Sequence, residues 1–262
     1  MRALYTAATG MAAQELNVQV ISNNIANLRT TGYKKQRAAF QDLIYDHVRR
    51  VGAQASDQGT ILPVGVDIGG GVKTVGTPRL MSQGTLSQTG NDLDIAIRGE
   101  GFFKIQMPDG TYTYSRDGSF QMDAQGRVVT AQGNPVQPTI TIPQNASGIT
   151  INAQGQLSVT LPGSTTPTTV GQIGLTRFIN KAGLNPIGDN LFTDTPASGT
   201  PQEGIANTDG FGDLQQANLE QANVEVVSEI SDLIAAQRAY EMNAKVISAT
   251  DQMLQAAANL FR

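Results

Sequence analysis

The chain has 262 residues, with 22 acidic against 18 basic side chains and a pI near 5.0, so no general basic field points to nucleic acid. It has no cysteine, which removes disulfides, thiolate nucleophiles and cysteine-ligated zinc together. No apolar run approaches the roughly twenty residues that span a bilayer, and Thr6, Thr9 and Gly10 interrupt residues 3–13 too early for a cleaved leader.

Leu4, Met11, Val18 and Ile25 recur every seventh position, with Ala7, Gln14, Ile21 and Leu28 three beyond each. This is the beat of an amphipathic heptad helix. Thr30-Thr31-Gly32 ends it near Asn27. Gly10 inside it is about 1 kcal/mol worse than alanine and marks the close approach of a neighbouring backbone. Arg29, Lys34, Lys35 and Arg37 then surround Tyr33. A solvated turn is favoured there over phosphate contact, because a nucleic-acid surface gathers more bases. Residues 38–48 read as a short helical piece through Phe40, Leu43 and Ile44 and carry the only histidine, His47, a poor metal ligand without partners.

Residues 46–72 form a connector rich in Gly, Gln and Ser. Gly69-Gly70-Gly71 lacks the Lys-Ser or Lys-Thr that a phosphate loop needs, so an extended loop is expected. From Val72 to about Leu184 short alternating runs predict antiparallel strands at 94–97, 102–107, 112–114 and 119–122. Pro108-Asp109-Gly110, Arg116-Asp117-Gly118 and Ala124-Gln125-Gly126 supply the turns. Residues 123–128 and 152–157 look like two copies of one hairpin. Strand-like pieces follow at 172–178 and 190–195, and the polar stretch 196–212 reads as a linker.

Residues 213–262 contain no glycine or proline. Val226, Leu233, Tyr240, Ile247, Leu254 and Phe261 repeat on the seven-residue beat, and Ile230, Gln237, Ala244, Asp251 and Ala258 stand four beyond the first five. A helix from Leu219 onward measures roughly 65 Å at 1.5 Å per residue. Burying six large seam residues is worth on the order of 10 to 15 kcal/mol, whereas fixing each backbone residue costs about 1 to 2 kcal/mol. One stripe is therefore insufficient, and the helix needs other helices. Seven acids against three bases in residues 213–262, and five bases against one acid in residues 1–40, draw the two ends together. The acids Asp213, Glu220, Glu225, Glu229 and Asp232 fall toward the helix start, where its dipole favours them.

No catalytic constellation emerges. His47 stands alone, and Asp92 and Asp94 serve better as turn caps than as paired catalytic carboxylates. No enzyme activity, cofactor or metal is expected. A secreted β-domain binding module oligomerised by its helices is the rival from another class, with Tyr112 and Tyr114 its only hint.

Ser22-Asn23-Asn24-Ile25-Ala26-Asn27, followed by Thr31-Gly32-Tyr33-Lys34, resembles the amino-terminal signature of the axial proteins of the bacterial flagellum, the rod and hook family. Ser82-Gln83-Gly84-Thr85-Leu86, Gly99-Glu100-Gly101-Phe102-Phe103 and Ala239-Tyr240-Glu241-Met242-Asn243-Ala244-Lys245 are similar to its later landmarks, so the resemblance covers the chain end to end. The run from Gly52-Ala53-Gln54 through Pro63 to Gly69-Gly70-Gly71 is similar to the segment that separates distal rod members from hook proteins. Hook and proximal rod members are the nearest alternatives.

The resemblance implies a structural subunit that polymerises helically with itself into a hollow drive shaft, passing torque to the hook and conducting exported subunits. Its implied partners are the proximal rod proteins, the hook protein, the surrounding L- and P-ring proteins and the flagellar type III export apparatus. Its implied place is the basal body, from periplasm to outer membrane, reached without a cleaved signal peptide; no nucleic acid and no membrane insertion are expected. The expected fold is α+β: terminal helices in 1–30 and 213–262 paired as a coiled coil, connecting regions at 31–72 and 185–212, and an antiparallel β-rich outer domain at 73–184. The expected assembly interface is Leu4, Met11, Val18, Ile21, Ile25, Val226, Ile230, Leu233, Tyr240, Ile247, Leu254 and Phe261. Gly52, Ala53, Gln54, Pro63 and Gly69 are the expected rod-specific connector residues.

Overall fold

The computed structural model describes residues 2–49, 64–163 and 166–260, and the chain divides into two compact units. The architecture is α+β, with a helix toward each end and a β-rich middle. Among the described residues no helix is long and apolar enough to cross a membrane.

The first unit takes its described parts from residues 1–25, 36–78 and 225–262. It holds α1 (Arg2–Ala26) and α2 (Val226–Leu260). Residues 38–48, expected to be helical, form β1 (Ala39–Asp42) and β2 (Tyr45–Arg49) instead. The connector returns as β3 (Val66–Gly69) and β4 (Val72–Gly76), so β2 pairs with β3 and β1 with β4, both antiparallel. Phe40, Leu43 and Ile44 suit either period, and cross-strand hydrogen bonding decided between them. Ribbon β2–β3 is solvent-exposed along nearly its whole length, Tyr45, Val48, Val66 and Ile68 included. Two such strands are marginal in water on their own.

The triple glycine is explained by a close approach. Gly71 has φ +116, and a Cβ there would lie 2.3 Å from the Thr9 hydroxyl of α1. The same hydroxyl accepts from the Val72 amide at 3.4 Å. Replacing Gly71 with alanine is therefore expected to cost about 1–3 kcal/mol in thermal or urea unfolding. Adding Thr9→Ala should recover only the steric part, because the left-handed backbone remains; full recovery would show that φ carries no penalty here.

In α2 the expected start at Asp213 gives way to Val226. The residues that lose solvent are Ser228, Glu229, Leu233, Ala236, Ala239, Asn243, Ile247 and Thr250. Leu233 and Ile247 belong to the expected stripe, but their neighbouring row lies one position earlier than expected. Gln237, Ala244, Asp251 and Ala258 are all exposed. Glu229 is buried and accepts from Asn24 Nδ2 of α1 at 3.1 Å, so this acid answers a side chain as well as the helix dipole. Gly10 sits against the Asn243 side chain, with 3.0 Å left for a Cβ. Its neighbour is thus a side chain and not the backbone expected.

The second unit comprises residues 26–35 and 79–224 as far as they are described. Its strands in order are β5 (Leu86–Gln88), β6 (Ile95–Arg98), β7 (Phe102–Gln106), β8 (Tyr112–Ser115), β9 (Gln121–Met122), β10 (Val128–Val129), β11 (Val136–Gln137) and β12 (Gly148–Ile151). They continue as β13 (Gln156–Thr160), β14 (Thr168–Gln172), β15 (Gly174–Arg177), β16 (Asn185–Gly188), β17 (Leu191–Thr193), β18 (Gln202–Ile205), β19 (Asp213–Gln216) and β20 (Asn218–Glu220). The largest sheet runs β16-β17-β8-β7-β15-β18, with β11 also on β7, and β12-β13-β14 form another. Side chains from both, including Phe103, Leu157, Val159 and Leu175, meet in one core with Ile95, Ile97 and Leu214.

The two hairpin copies are real. Asp123 and Asn152 each accept from backbone amides two and four positions on, and Gly126 and Gly155 both have φ +81. Each glycine also packs against a distant carbonyl, Ile142 and Ile173 respectively, too closely for a Cβ. Two expectations are corrected. The stretch 196–212 is not all linker, since β18 completes the edge of the large sheet beside β15. Residues 213–220 are strands, with Leu214 opposite Ile97 and Leu219 opposite Ser87. Lack of glycine and proline left helix open but did not impose it; pairing with β6 and β5 overrode local propensity, with Ala217 at φ +56 making the break between β19 and β20.

Candidate functional site

Polar chemistry in the second unit converges on one carboxylate. Glu220 ends β20 and is 1% exposed. Its Oε1 accepts from Lys34 Nζ at 2.6 Å and from the Gly84 amide at 2.9 Å, and its Oε2 accepts from Arg116 Nε at 3.0 Å. Lys34 and Arg116 are buried as well. Lys34 also donates to Ser82 O at 2.9 Å, and Arg116 Nη1 to Gly99 O at 2.9 Å and Gly101 O at 2.7 Å. Two cations thus share one acid, and each also donates to backbone carbonyls.

The local sequence makes this geometry possible. Gly32, at φ +67, packs against Asp117 N with no room for a Cβ and donates its amide to Glu220 O at 2.8 Å, which delivers Lys34 to the acid. Gly84 lies against Gln221 O, where a Cβ would come within 2.0 Å. Gly99 and Gly101, at φ +108 and +144, turn their carbonyls onto Arg116. Asn223 adds a second clasp: Oδ1 accepts from Lys35 N at 2.7 Å, and Nδ2 donates to Leu80 O at 2.8 Å. Tyr33 is buried with the Arg79 guanidinium 5.9 Å from its ring centre.

Burial pushes the Lys34 ammonium below the usual lysine range; the Glu220 carboxylate opposes that shift and the Arg116 charge adds to it. The arrangement presents no nucleophile or general base to a substrate. Its physical consequence is positional. Removing one member leaves a desolvated charge without its partner, so the segments carrying Lys34, Arg116 and Glu220 are held in one mutual register. The basic cluster expected around Tyr33 is therefore not one surface, since Arg29 and Arg37 are exposed while Lys34 points inward. The available signal was that Lys34, Ser82, Gly84, Gly99 and Gly101 all belong to the landmark motifs.

The expected assembly residues divide by exposure. Leu4, Met11, Val18 and Ile25 are half-buried and Ile21 is buried; Leu233 and Ile247 are half-buried. Val226, Ile230, Tyr240 and Leu254 are exposed. Gly69 closes β3 opposite Tyr45, and its missing Cβ would sit 3.4 Å from that ring. Phe261 and the connector residues Gly52, Ala53, Gln54 and Pro63 lie outside the described residues. Tyr112 and Tyr114 form no joint aromatic platform: Tyr114 is buried edge-on to Phe178, and burial raises its phenol to about 12, whereas Tyr112 is exposed beneath Lys104.

Comparison with known proteins follows the same pieces of chain. Residues 4–34 match the flagella basal body rod protein model, 96–159 the flagellar hook protein FlgE/F/G D1 domain, and 215–260 the flagellar basal body rod FlgEFG protein C-terminal model. Lys34, Arg116 and Glu220 come one from each. The flagellar basal-body rod protein FlgG of Caulobacter vibrioides is 54% identical over 99% of both chains. Those of Agrobacterium fabrum and Bacillus subtilis are 49% identical over 97% of both chains and 35% over the whole of both. Identity at this level from end to end, with all three matched segments meeting at a single buried acid, shows that the chain belongs to the flagellar basal-body rod protein family as a structural subunit of the distal rod.

Proposed function

We propose that α1 and α2 pair as an antiparallel coiled coil whose remaining apolar surface is covered by other copies of the chain, building a helical, hollow shaft that carries torque and passes exported subunits. The antiparallel sense follows from the contacts of Asn24 with Glu229 and of Gly10 with Asn243. The observation that carries the proposal is the apolar surface left on α2. Val227, Ile230 and Ile234 lie on one side of the buried row, and Met242, Val246 and Met253 on the other, with Val227 73% and Met253 64% exposed. Side chains of this kind are worth about 1.5–3 kcal/mol each when buried. Stripes on two sides call for two different neighbours, and such heterologous contacts generate open helical polymers.

In this reading the interface includes Leu4, Met11, Val18, Ile21, Ile25, Val226, Ile230, Leu233, Tyr240, Ile247, Leu254 and Phe261, and the connector about Gly52, Ala53, Gln54, Pro63 and Gly69 keeps the shaft straight. Its neighbours are the proximal rod proteins, the hook protein and the surrounding rings, in a basal body reaching from periplasm to outer membrane, with delivery by the flagellar export apparatus. The buried Lys34–Glu220–Arg116 cluster keeps three distant segments of the β-rich unit in one register while load passes. Circular dichroism is expected to show a helical signal that rises from dilute monomer to concentrated polymer, because the exposed stripes of α2 gain partners only on assembly. Equal helicity in both states would refute coupled ordering and assembly. Negative-stain microscopy should show open helical tubes; closed small oligomers would favour a binding module.

A further inference from the structure

Among the described residues, nothing covers the end of α2. The same step of fourteen residues separates the two helix contacts on both helices, Asn24 to Gly10 and Glu229 to Asn243. Continuing it sets Arg2, where α1 begins, level with Asp251. Residues 251–259 therefore run past α1, and every one of them is exposed. At 1.5 Å per residue this overhang is on the order of 15 Å. Apart from Met253 and Leu254, both exposed, it is made of small and polar residues, including Ala256, Ala257 and Ala258. It is slim, with one apolar pair to bury.

A matching cavity lies beside the start of α1 in the same unit. It measures about 550 Å³ and is walled by Tyr5 of α1, by Ile44 and Tyr45 at the head of β2, and by Ile68 of β3, with Arg2 and Asp46 at its rim. Arg2 reaches Asp46 at 2.5 Å and keeps most of its side chain in water. Electrostatics favour a helix end at this place. Among the described residues α2 has no basic side chain in its last turn, and Arg2 in the first turn of α1 offers an exposed cation to the carbonyl end of a helix.

We infer that this cavity receives the overhanging tip of α2 from a second copy of the chain, with Met253 and Leu254 entering between Tyr5, Ile44 and Ile68, and with Arg2 facing the carbonyl end of the incoming helix. The inference rests on the self-assembly proposed above and assigns it one contact. Tip and cavity are different surfaces, so the contact repeats head to tail and sets an axial stagger between neighbours. It also covers the Tyr45–Ile68 end of the exposed β2–β3 ribbon, which is otherwise marginal.

The chain has no cysteine, which makes the test direct. Two full-length single variants, Leu254→Cys and Ile68→Cys, are mixed, assembled and oxidised. A disulfide needs Cα atoms about 4.4–6.8 Å apart, so it reports contact. The expected result is a covalent dimer in polymers of the mixture and none in polymers of either variant alone. Polymers that form without a dimer specific to the mixture overturn the tip-in-cavity contact and leave self-assembly standing. Failure of the wild-type chain to polymerise at any concentration overturns the self-assembly reading, and this inference with it.

Discussion

Replacing Glu220 with glutamine is expected to lower the unfolding free energy of the β-rich unit by about 3–5 kcal/mol, because Lys34 and Arg116 then remain buried without their acid. The amide keeps the shape of the carboxyl, so a loss of this size reports charge and not a cavity. Lys34→Met should cost less, since Arg116 still answers Glu220 at 3.0 Å. Combined, the two changes should cost less than their sum, because each disrupts the same pair. Urea unfolding of the full chain below its assembly concentration measures all three. A loss within about 0.5 kcal/mol for Glu220→Gln, the range of an ordinary surface change, would sink the proposed role of the cluster.

The same cluster predicts a pH effect of definite sign. The Lys34 ammonium is held below its ordinary 10.5, so between its lowered value and 10.5 the unfolded chain binds more protons at this position than the folded one. Stability from this group therefore rises with pH across that window. Lys34→Met should remove that rise, which the difference between the two pH profiles isolates from the tyrosines and other lysines.

A second large effect is expected in assembly with almost none in folding. Val227→Asp and Met242→Asp change residues that are 73% and 61% exposed, so monomer stability should move by no more than about 0.5 kcal/mol. In a polymer each forfeits about 1.5–3 kcal/mol of apolar burial and puts a charge where apolar side chains meet. With about 1.4 kcal/mol to each factor of ten, the critical concentration should rise at least about tenfold. Sedimentation of dilution series reads this directly. The two variants also separate the two stripes: if only one raises the critical concentration, the other side of α2 is not an inter-subunit surface.

The family resemblance and the internal chemistry were legible to different degrees. Signature residues such as Thr31-Gly32-Tyr33-Lys34 and Ser82-Gln83-Gly84 stood out as words in the sequence. Their common purpose did not, because Lys34 and Glu220 are 186 positions apart and only the fold sets them 2.6 Å from each other. Lys34 read alone is an exposed cation in a basic turn. The seven-residue beat in α2 located one row of the helix correctly and misplaced the other. Glu229, Asn243 and Thr250 are polar, and nothing local says that Asn24 will receive the first or that Gly10 will make room for the second.

What the amino-acid order determined by itself is local and periodic: helices toward both ends, antiparallel strands between them, and tight turns such as Asp123–Gly126 and Asn152–Gly155, where a left-handed glycine and an amide-accepting side chain leave the backbone few other choices. Only tertiary structure decided that residues 213–220 extend as strands, that residues 39–49 leave the helical period, and that a lysine is desolvated beside an arginine. Those outcomes depend on hydrogen-bond partners and solvent exclusion contributed by distant segments, and the energy of a strand edge or a buried charge has no value until its partner is present.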